Sequence, residues 1–409
     1  MHENHNRLNR RDFLTTAATS LAGAGLMGLT PTNLLAQESE EKATRELTRK
    51  VIYRRLGKTD INLPVISMGV MNADNPQVVK ASYELGVRHF DTAAYYQYGR
   101  NEQMVGNVIN KLGVRKDVVI ATKVAFPRLS GDPTEEEVKN KYIELCEGSL
   151  SRLGTDYVDI LYLHNVASKD DLNNPGIKAA MAELKNRKKA RYVGVSTHSN
   201  MTEVIAEATR TDFYDVVLTA INFTMADDTA LLTAIKNAAE KGIGIVAMKT
   251  LAGGGRWPNP ESRRQYPSAV ITRACLKWVL RNENVHNSIP GYDNFEHMKE
   301  DFEVAYDLEY TPEEKKFLGD NNIRLSMGFC RQCKTCLASC PSGVDIPTLM
   351  RTHMYATQYA NFHHARATLN EVPKDKSLQN CVICDACIAR CANTVDIARR
   401  IEELKLIYA

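Results

Sequence analysis

The chain has 409 residues, 44% of them hydrophobic and 25% charged. That is the composition of a globular protein long enough for about two domains, and it excludes a largely disordered or collagenous chain. The 52 basic and 49 acidic residues leave a formal charge of +3, too small a surplus for a dedicated nucleic-acid binder, and the ten cysteines are too few for a disulfide scaffold.

The N-terminus reads as an address. Asn9-Arg10-Arg11-Asp12-Phe13-Leu14 opens a weakly apolar run that reaches Leu29, with small residues near Ala36. A basic start, an apolar middle and a small-residue end make an export signal. The adjacent arginines resemble the twin-arginine (Tat) signal, whose translocon carries folded proteins. Residues 1–36 are therefore expected to be a leader, 37–50 a linker, and the protein periplasmic or otherwise exported. Leu34 is a poor fit to a small-x-small cleavage site, and an uncleaved anchor is the alternative. No other membrane span is expected, because no stretch reaches about 18 uncharged apolar residues. Gly23-Ala24-Gly25-Leu26-Met27-Gly28 matches the dinucleotide pattern G-x-G-x-x-G letter by letter. It lies in the leader without the preceding strand that the motif needs, so it is not read as a nucleotide site.

Residues 51–320 read as repeated strand–helix units after a small hairpin, 51–55 and 61–63. Strands are expected at 65–68, 88–91, 118–123, 158–164, 192–196, 216–222, 244–248 and 285–289, with helices at 135–150, 177–188, 229–241 and 268–281 among the intervals. Eight such units predict an α/β fold, a (β/α)8 TIM barrel, with an open doubly wound sheet as the alternative. In a barrel the chemistry sits where strands end. The second strand ends at Asp91 with Tyr96 in its loop, the third at Lys123 and the fourth at His164.

The segments Asp91-Thr92-Ala93-Ala94-Tyr95-Tyr96 with Gly99 and Glu102, Ile120-Ala121-Thr122-Lys123, and Asp159-Ile160-Leu161-Tyr162-Leu163-His164 resemble the aldo-keto reductase superfamily. The resemblance covers 51–320 and implies hydride transfer between a nicotinamide cofactor, NADP or NAD, and a small carbonyl or alcohol substrate. It makes Asp91, Tyr96, Lys123 and His164 the catalytic set. A carbonyl that receives a hydride needs a proton, and Tyr96 would supply it. A Lys123 ammonium nearby is expected to favour the phenolate and so make Tyr96 a better acid. Asp91 would hold Lys123, and His164 would orient the carbonyl oxygen. Taken singly, the same residues read as a barrel histidine, a loop aromatic and a structural ion pair.

For the cofactor, the resemblance implies Ser196, Asn222, Gly291, Glu300 and Asp301 as contacts. Gly253-Gly254-Gly255-Arg256 offers a loop that could cradle a pyrophosphate with backbone amides, or is simply a flexible loop. The chain departs from the family pattern at Thr197, Leu218 and Met248. Tyr292-Asp293-Asn294 lacks the basic anchors for a 2′-phosphate, and His297 is a weak substitute.

The C-terminal ninety residues carry the most specific pattern. Cys330-x2-Cys333-x2-Cys336-x3-Cys340-Pro341 is a bacterial ferredoxin run, and Cys381-x2-Cys384-x2-Cys387-x3-Cys391 repeats it. Val344-Asp345-Ile346 and Val395-Asp396-Ile397 repeat as well, so residues 321–409 contain an internal duplication. Zinc usually takes separated C-x2-C pairs, whereas triples at this spacing point to two [4Fe–4S] clusters. The fourth cysteine of each run is expected to cross over. One cluster then uses Cys330, Cys333, Cys336 and Cys391, and the other Cys381, Cys384, Cys387 and Cys340. The helix-prone stretch between the runs predicts a small, mainly α-helical ferredoxin-like domain. His363-His364 within it reads as a surface pair, Cys146 and Cys275 as inert core thiols, and the basic run 185–191 as a solvated helix end.

Leader and clusters are mutually consistent, because eight thiols exported unfolded would tend to oxidise. The combined expectation is an exported iron–sulfur oxidoreductase whose clusters exchange electrons with a redox protein partner. The alternatives are an electron-transfer or ligand-binding protein whose barrel no longer moves hydride, and a carbonyl reductase with structural clusters.

Overall fold

The computed structural model describes residues 49–253, 265–382, 384 and 387–408. The expected leader and Gly254 lie outside these residues. A hairpin of Tyr53–Arg55 and Asn62–Pro64 comes first. The Lys58 amide within it donates to Gly242 O at 2.7 Å, just ahead of a barrel strand.

The eight barrel strands are β1 (Met68–Gly69), β2 (His89–Asp91), β3 (Val119–Ala125), β4 (Val158–His164), β5 (Ala190–Thr197), β6 (Val216–Ala220), β7 (Gly244–Met248) and β8 (Asn287–Ser288). Each pairs in parallel with its sequence neighbour, and bridges Ile66 to Ser288 and Gly69 to Gly291 bring β8 back to β1. This is the (β/α)8 barrel. All seven residues of β4 are buried, as a parallel strand covered by helices requires. The helices start where the side chains cap them. Thr134 and Glu137 form a reciprocal capping box at Glu135–Leu153, and Pro175 opens Pro175–Asn186 behind an Asn174 cap.

Register explains how the strand ends meet. Asp91 lies opposite Ala121, and Lys123 is two residues further along β3, on the same face. Ala125, two residues further again, lies opposite His164.

The C-terminal part is helical: Ile346–His353, Phe362–Leu369 and Ile397–Tyr408 surround the cysteine runs. The repeated Val-Asp-Ile is a helix start. The Asp345 carboxylate accepts from the Thr348 amide and that of Asp396 from the Arg399 amide. Ile346, Leu349, Met350, Ile397, Ile401 and Leu404 form this part's own apolar core. Between the first two helices, Met354–Gln358 makes a π-helical turn, an irregularity common at functional sites. Gly253, after β7, packs against this turn at φ 72°, where a Cβ would lie 2.5 Å from Met354 Sδ. Val51–Ala409 thus forms one unit.

Candidate active site

Asp91 and Lys123 form an ion pair whose side chains are each 2% exposed. Lys123 Nζ also donates to Thr92 O at 2.6 Å and lies 3.4 Å from Tyr96 Oη. Tyr96 begins the 3-10 turn Tyr96–Gly99, which places its ring at the top of β2. Behind the pair, buried Glu102 accepts from Thr122 Oγ1 at 2.5 Å and pairs with Arg152 at 2.7 Å. Of the neighbouring tyrosines, Tyr98 is 78% exposed, whereas Tyr95 stacks on His164 with ring centroids 4.9 Å apart.

Burial pushes the Tyr96 phenol well above its usual range, and the nearby Asp91 charge adds to the shift. This corrects the expectation that Lys123 would favour the phenolate: in so buried a site, desolvation outweighs the ammonium. Burial lowers Lys123 too, and Asp91 opposes that shift. His164 is pushed well below its usual value, first by burial and then by Lys123, His364, Arg351 and Lys249, so it is a neutral imidazole.

A cavity of about 150 Å³ opens at this end of the barrel. Asp91, Tyr96 and Lys123 form part of its wall, with Met248, Ile289 and Gly291 from the ends of β7 and β8. His198, Lys249 and Asp293 border it as well, and the segment between the cysteine runs covers it with Tyr355, Gln358, Tyr359 and His364. His364 is 4% exposed, so it is not the surface residue expected from the sequence. Its ring lies parallel to Tyr95 at 5.4 Å and edge-on to Tyr96 at 5.6 Å, so His164, Tyr95 and His364 form one stack. His363 instead meets Tyr98, at 3.7 Å. A polar seam fixes this cap: Arg351 donates to Asn165 Oδ1 at 2.9 Å and to Glu371 at 2.6 Å, and Asn165 Nδ2 donates to Glu371 at 2.9 Å.

The expected cofactor contacts are divided. Gly291 borders the cavity and Gly253 packs under the cap. Ser196 Oγ accepts from the Asn165 amide at 3.1 Å. Asn222 caps the turn Phe223–Met225 and donates to Lys249 O at 3.2 Å. Glu300 and Asp301 lie on the helix Phe295–Glu303. None of these four borders the cavity. Sequence reasoning missed Lys249, His198 and the four capping residues. The only local signals were the tyrosines near His363-His364 and the departure from family pattern at Met248.

The cysteines gather in two groups. Cys330 lies within electrostatic reach of Cys391, Cys336 and Cys333. The Asn393 amide donates to Cys391 Sγ at 3.2 Å, and its side chain lies 3.7 Å from Cys333 Sγ. Cys340, Cys381, Cys384 and Cys387 line a separate cavity with Ile397 and Ile401. The first group faces the barrel: Cys330 borders a smaller cavity with His198, Lys249 and Arg351, and His198, Lys249 and Gln358 also border the catalytic cavity. The cavity of the second group is lined only by residues 340–405. Cys146 and Cys275 are buried free thiols, the former pushed up to about 12 by burial.

Residues 68–269 match the aldo/keto reductase family and residues 329–395 the 4Fe-4S dicluster domain. The chain is 26% identical over 292 residues to the L-galactose dehydrogenase of Arabidopsis thaliana, covering 64% of this chain and 90% of that protein. It is 24% identical over 315 residues to the L-glyceraldehyde 3-phosphate reductase of Escherichia coli O157:H7, again covering 64% and 90%. Among solved structures, aldo-keto reductase AKR11C1 from Bacillus halodurans superposes with a TM-score of 0.54 at 24% identity, covering 66% of this chain and 95% of that one, which bears on the fold. The chain is therefore an oxidoreductase that joins an aldo/keto reductase barrel to a 4Fe-4S dicluster domain.

Proposed function

We propose that the protein is an exported iron–sulfur oxidoreductase that interconverts a small carbonyl and its alcohol with NADP or NAD, while two [4Fe–4S] clusters exchange electrons with a redox protein partner. The observation that carries this reading is the buried Asp91–Lys123–Tyr96 constellation in the wall of a cavity. Tyr96 is held protonated and gives its proton to the carbonyl oxygen as negative charge develops there. Lys123, 3.4 Å away and anchored by Asp91, faces the phenolate oxygen that remains and offsets part of the cost of burying its charge. His164, neutral and stacked on Tyr95, does not itself border the cavity; it would orient the oxygen as a hydrogen-bond donor once substrate is seated. In the oxidative direction the same groups take the alcohol proton.

The cavity wall and the eight cluster-type cysteines suit the groups that this reading requires. Met248 and Gly291 border the cavity with Tyr96 and would hold the nicotinamide, which supplies or accepts the hydride when bound. Ser196, Asn222, Glu300 and Asp301 would act around it, with Gly253 and Gly254 in the loop after β7. Eight thiols in two groups of four match the donor set of two [4Fe–4S] clusters, which supply one-electron transfer when bound. By this reading Cys330, Cys333, Cys336 and Cys391 hold the inner cluster, and Cys340, Cys381, Cys384 and Cys387 the outer one that meets the partner. Assembly before Tat export would protect these thiols from oxidation.

Titration of the anaerobically purified protein with NADH and NADPH tests this reading. Binding, with bleaching of the visible cluster absorption and reduction of L-glyceraldehyde 3-phosphate, is expected, as is oxidation of L-galactose when the oxidised nucleotide is supplied instead. Failure to bind either nucleotide would instead favour the electron-transfer reading. That reading has its own support in the internal bonds of Ser196 and Asn222.

A further inference from the structure

We infer that the barrel mouth holds an anionic group of the substrate, a phosphate or carboxylate, on the Lys249 ammonium; this rests on the carbonyl-site reading above and names its substrate class. Lys249 follows β7 directly, in a left-handed backbone conformation (φ 55°) rare outside glycine. Its Nζ donates to Tyr355 Oη at 2.8 Å and lies 4.6 Å from that ring's centroid. It meets no carboxylate among the described residues. The fully buried lysines and arginine differ: Lys123 is paired with Asp91, Arg351 with Glu371, and Lys277 with Glu314. A half-buried ammonium that meets a phenol and no carboxylate among the described residues is costly to keep charged, and one that borders a cavity is poised for an anion from outside.

The surroundings agree. Burial and then Arg351 and Lys123 lower Lys249 to about 7. His164, His198 and His364 are each pushed down by burial and then by cationic neighbours, with no carboxylate among those influences. The charges that act on these three rings are positive, while Asp91 and Asp293 also border the cavity. The anion also sits close to the chemistry. Tyr96 is in edge contact with His364 at 5.6 Å, His364 with Tyr355 at 4.2 Å, and Tyr355 bonds Lys249. That short chain of contacts favours an acidic group on a small carbonyl compound over the pyrophosphate of the dinucleotide.

Calorimetric titration of the full-length, cluster-loaded protein with inorganic phosphate, and separately with NADH and NADPH, tests this. Phosphate should bind the wild type, bind Lys249→Met roughly tenfold or more weakly, and recover in Lys249→Arg. Nucleotide affinity should stay level in all three. Equal phosphate affinity in wild type and Lys249→Met, or none in either, would overturn the proposal. A matching loss of nucleotide affinity in Lys249→Met would overturn it too, by assigning Lys249 to the dinucleotide. Tyr355→Phe, which leaves the lysine in place, should still bind phosphate if Lys249→Met fails to fold, and loss of binding there would count against the ammonium as the anchor. Lysine-dependent phosphate binding in a protein that turns over no carbonyl would support the anion site and sink only the catalytic reading.

Discussion

Two tyrosine–lysine pairs face the same cavity. Tyr96 and Lys123 belong wholly to the barrel, and Asp91 neutralises their lysine. Tyr355 and Lys249 span barrel and cap, and their lysine meets no carboxylate among the described residues. The first pair is a closed unit that can hold and release a proton. The second is incomplete in charge and leaves room for a ligand to complete it. The same two residue types therefore do different work according to whether a carboxylate stands behind them.

That contrast can be broken from either side. The largest effect is expected at Asp91→Asn, which leaves Lys123 buried and unpaired. Stability should fall by about 3–5 kcal/mol, measured by chemical denaturation, and Asp91→Asn with Lys123→Met should recover most of it without activity. Next comes Lys249. Its folded value of about 7 lies below the 10.5 of an unperturbed lysine. Between those values the unfolded chain binds more protons, so wild-type stability should rise with pH through this window relative to Lys249→Met. The difference between the two curves should change by roughly 2–5 kcal/mol, and parallel curves would contradict the lowered value of this lysine. The smallest effect concerns the seam. Glu371→Gln weakens the bonds that join Arg351 and Asn165, and should cost about 1–3 kcal/mol locally. Faster hydrogen exchange in Phe362–Leu369, with the barrel strands unchanged, is the expected signature.

How much of this was legible in the sequence follows the same division. The barrel was legible because apolar strands and helices alternate at short range; Asp91 and His164 end their strands, Lys123 lies two residues before the end of its longer one, and parallel register brings the three together. Tyr96 needed only the short turn after β2. The cysteine runs and the repeated Val-Asp-Ile were legible as local spacing. The cap was not: His364 lies 268 positions after Tyr96 in the chain, and its burial depends on how Met354–Gln358 and Phe362–Leu369 dock on the mouth. The direction of the Tyr96 shift was not legible either, since it turns on desolvation against one ammonium, and burial exists only in the folded state. Ser196 and Asn222 show the reverse case, in which the positions were clear but their internal hydrogen-bond partners were not.

The role proposed for Tyr96 is that of proton donor in a working reductase site under the cap. Its most direct measurement is carbonyl turnover by Tyr96→Phe beside the wild type, with the cluster spectrum and nucleotide affinity recorded on the same samples. Turnover should fall by about 10²–10⁴-fold while spectrum and affinity stay unchanged. Undiminished turnover in Tyr96→Phe would contradict the claim.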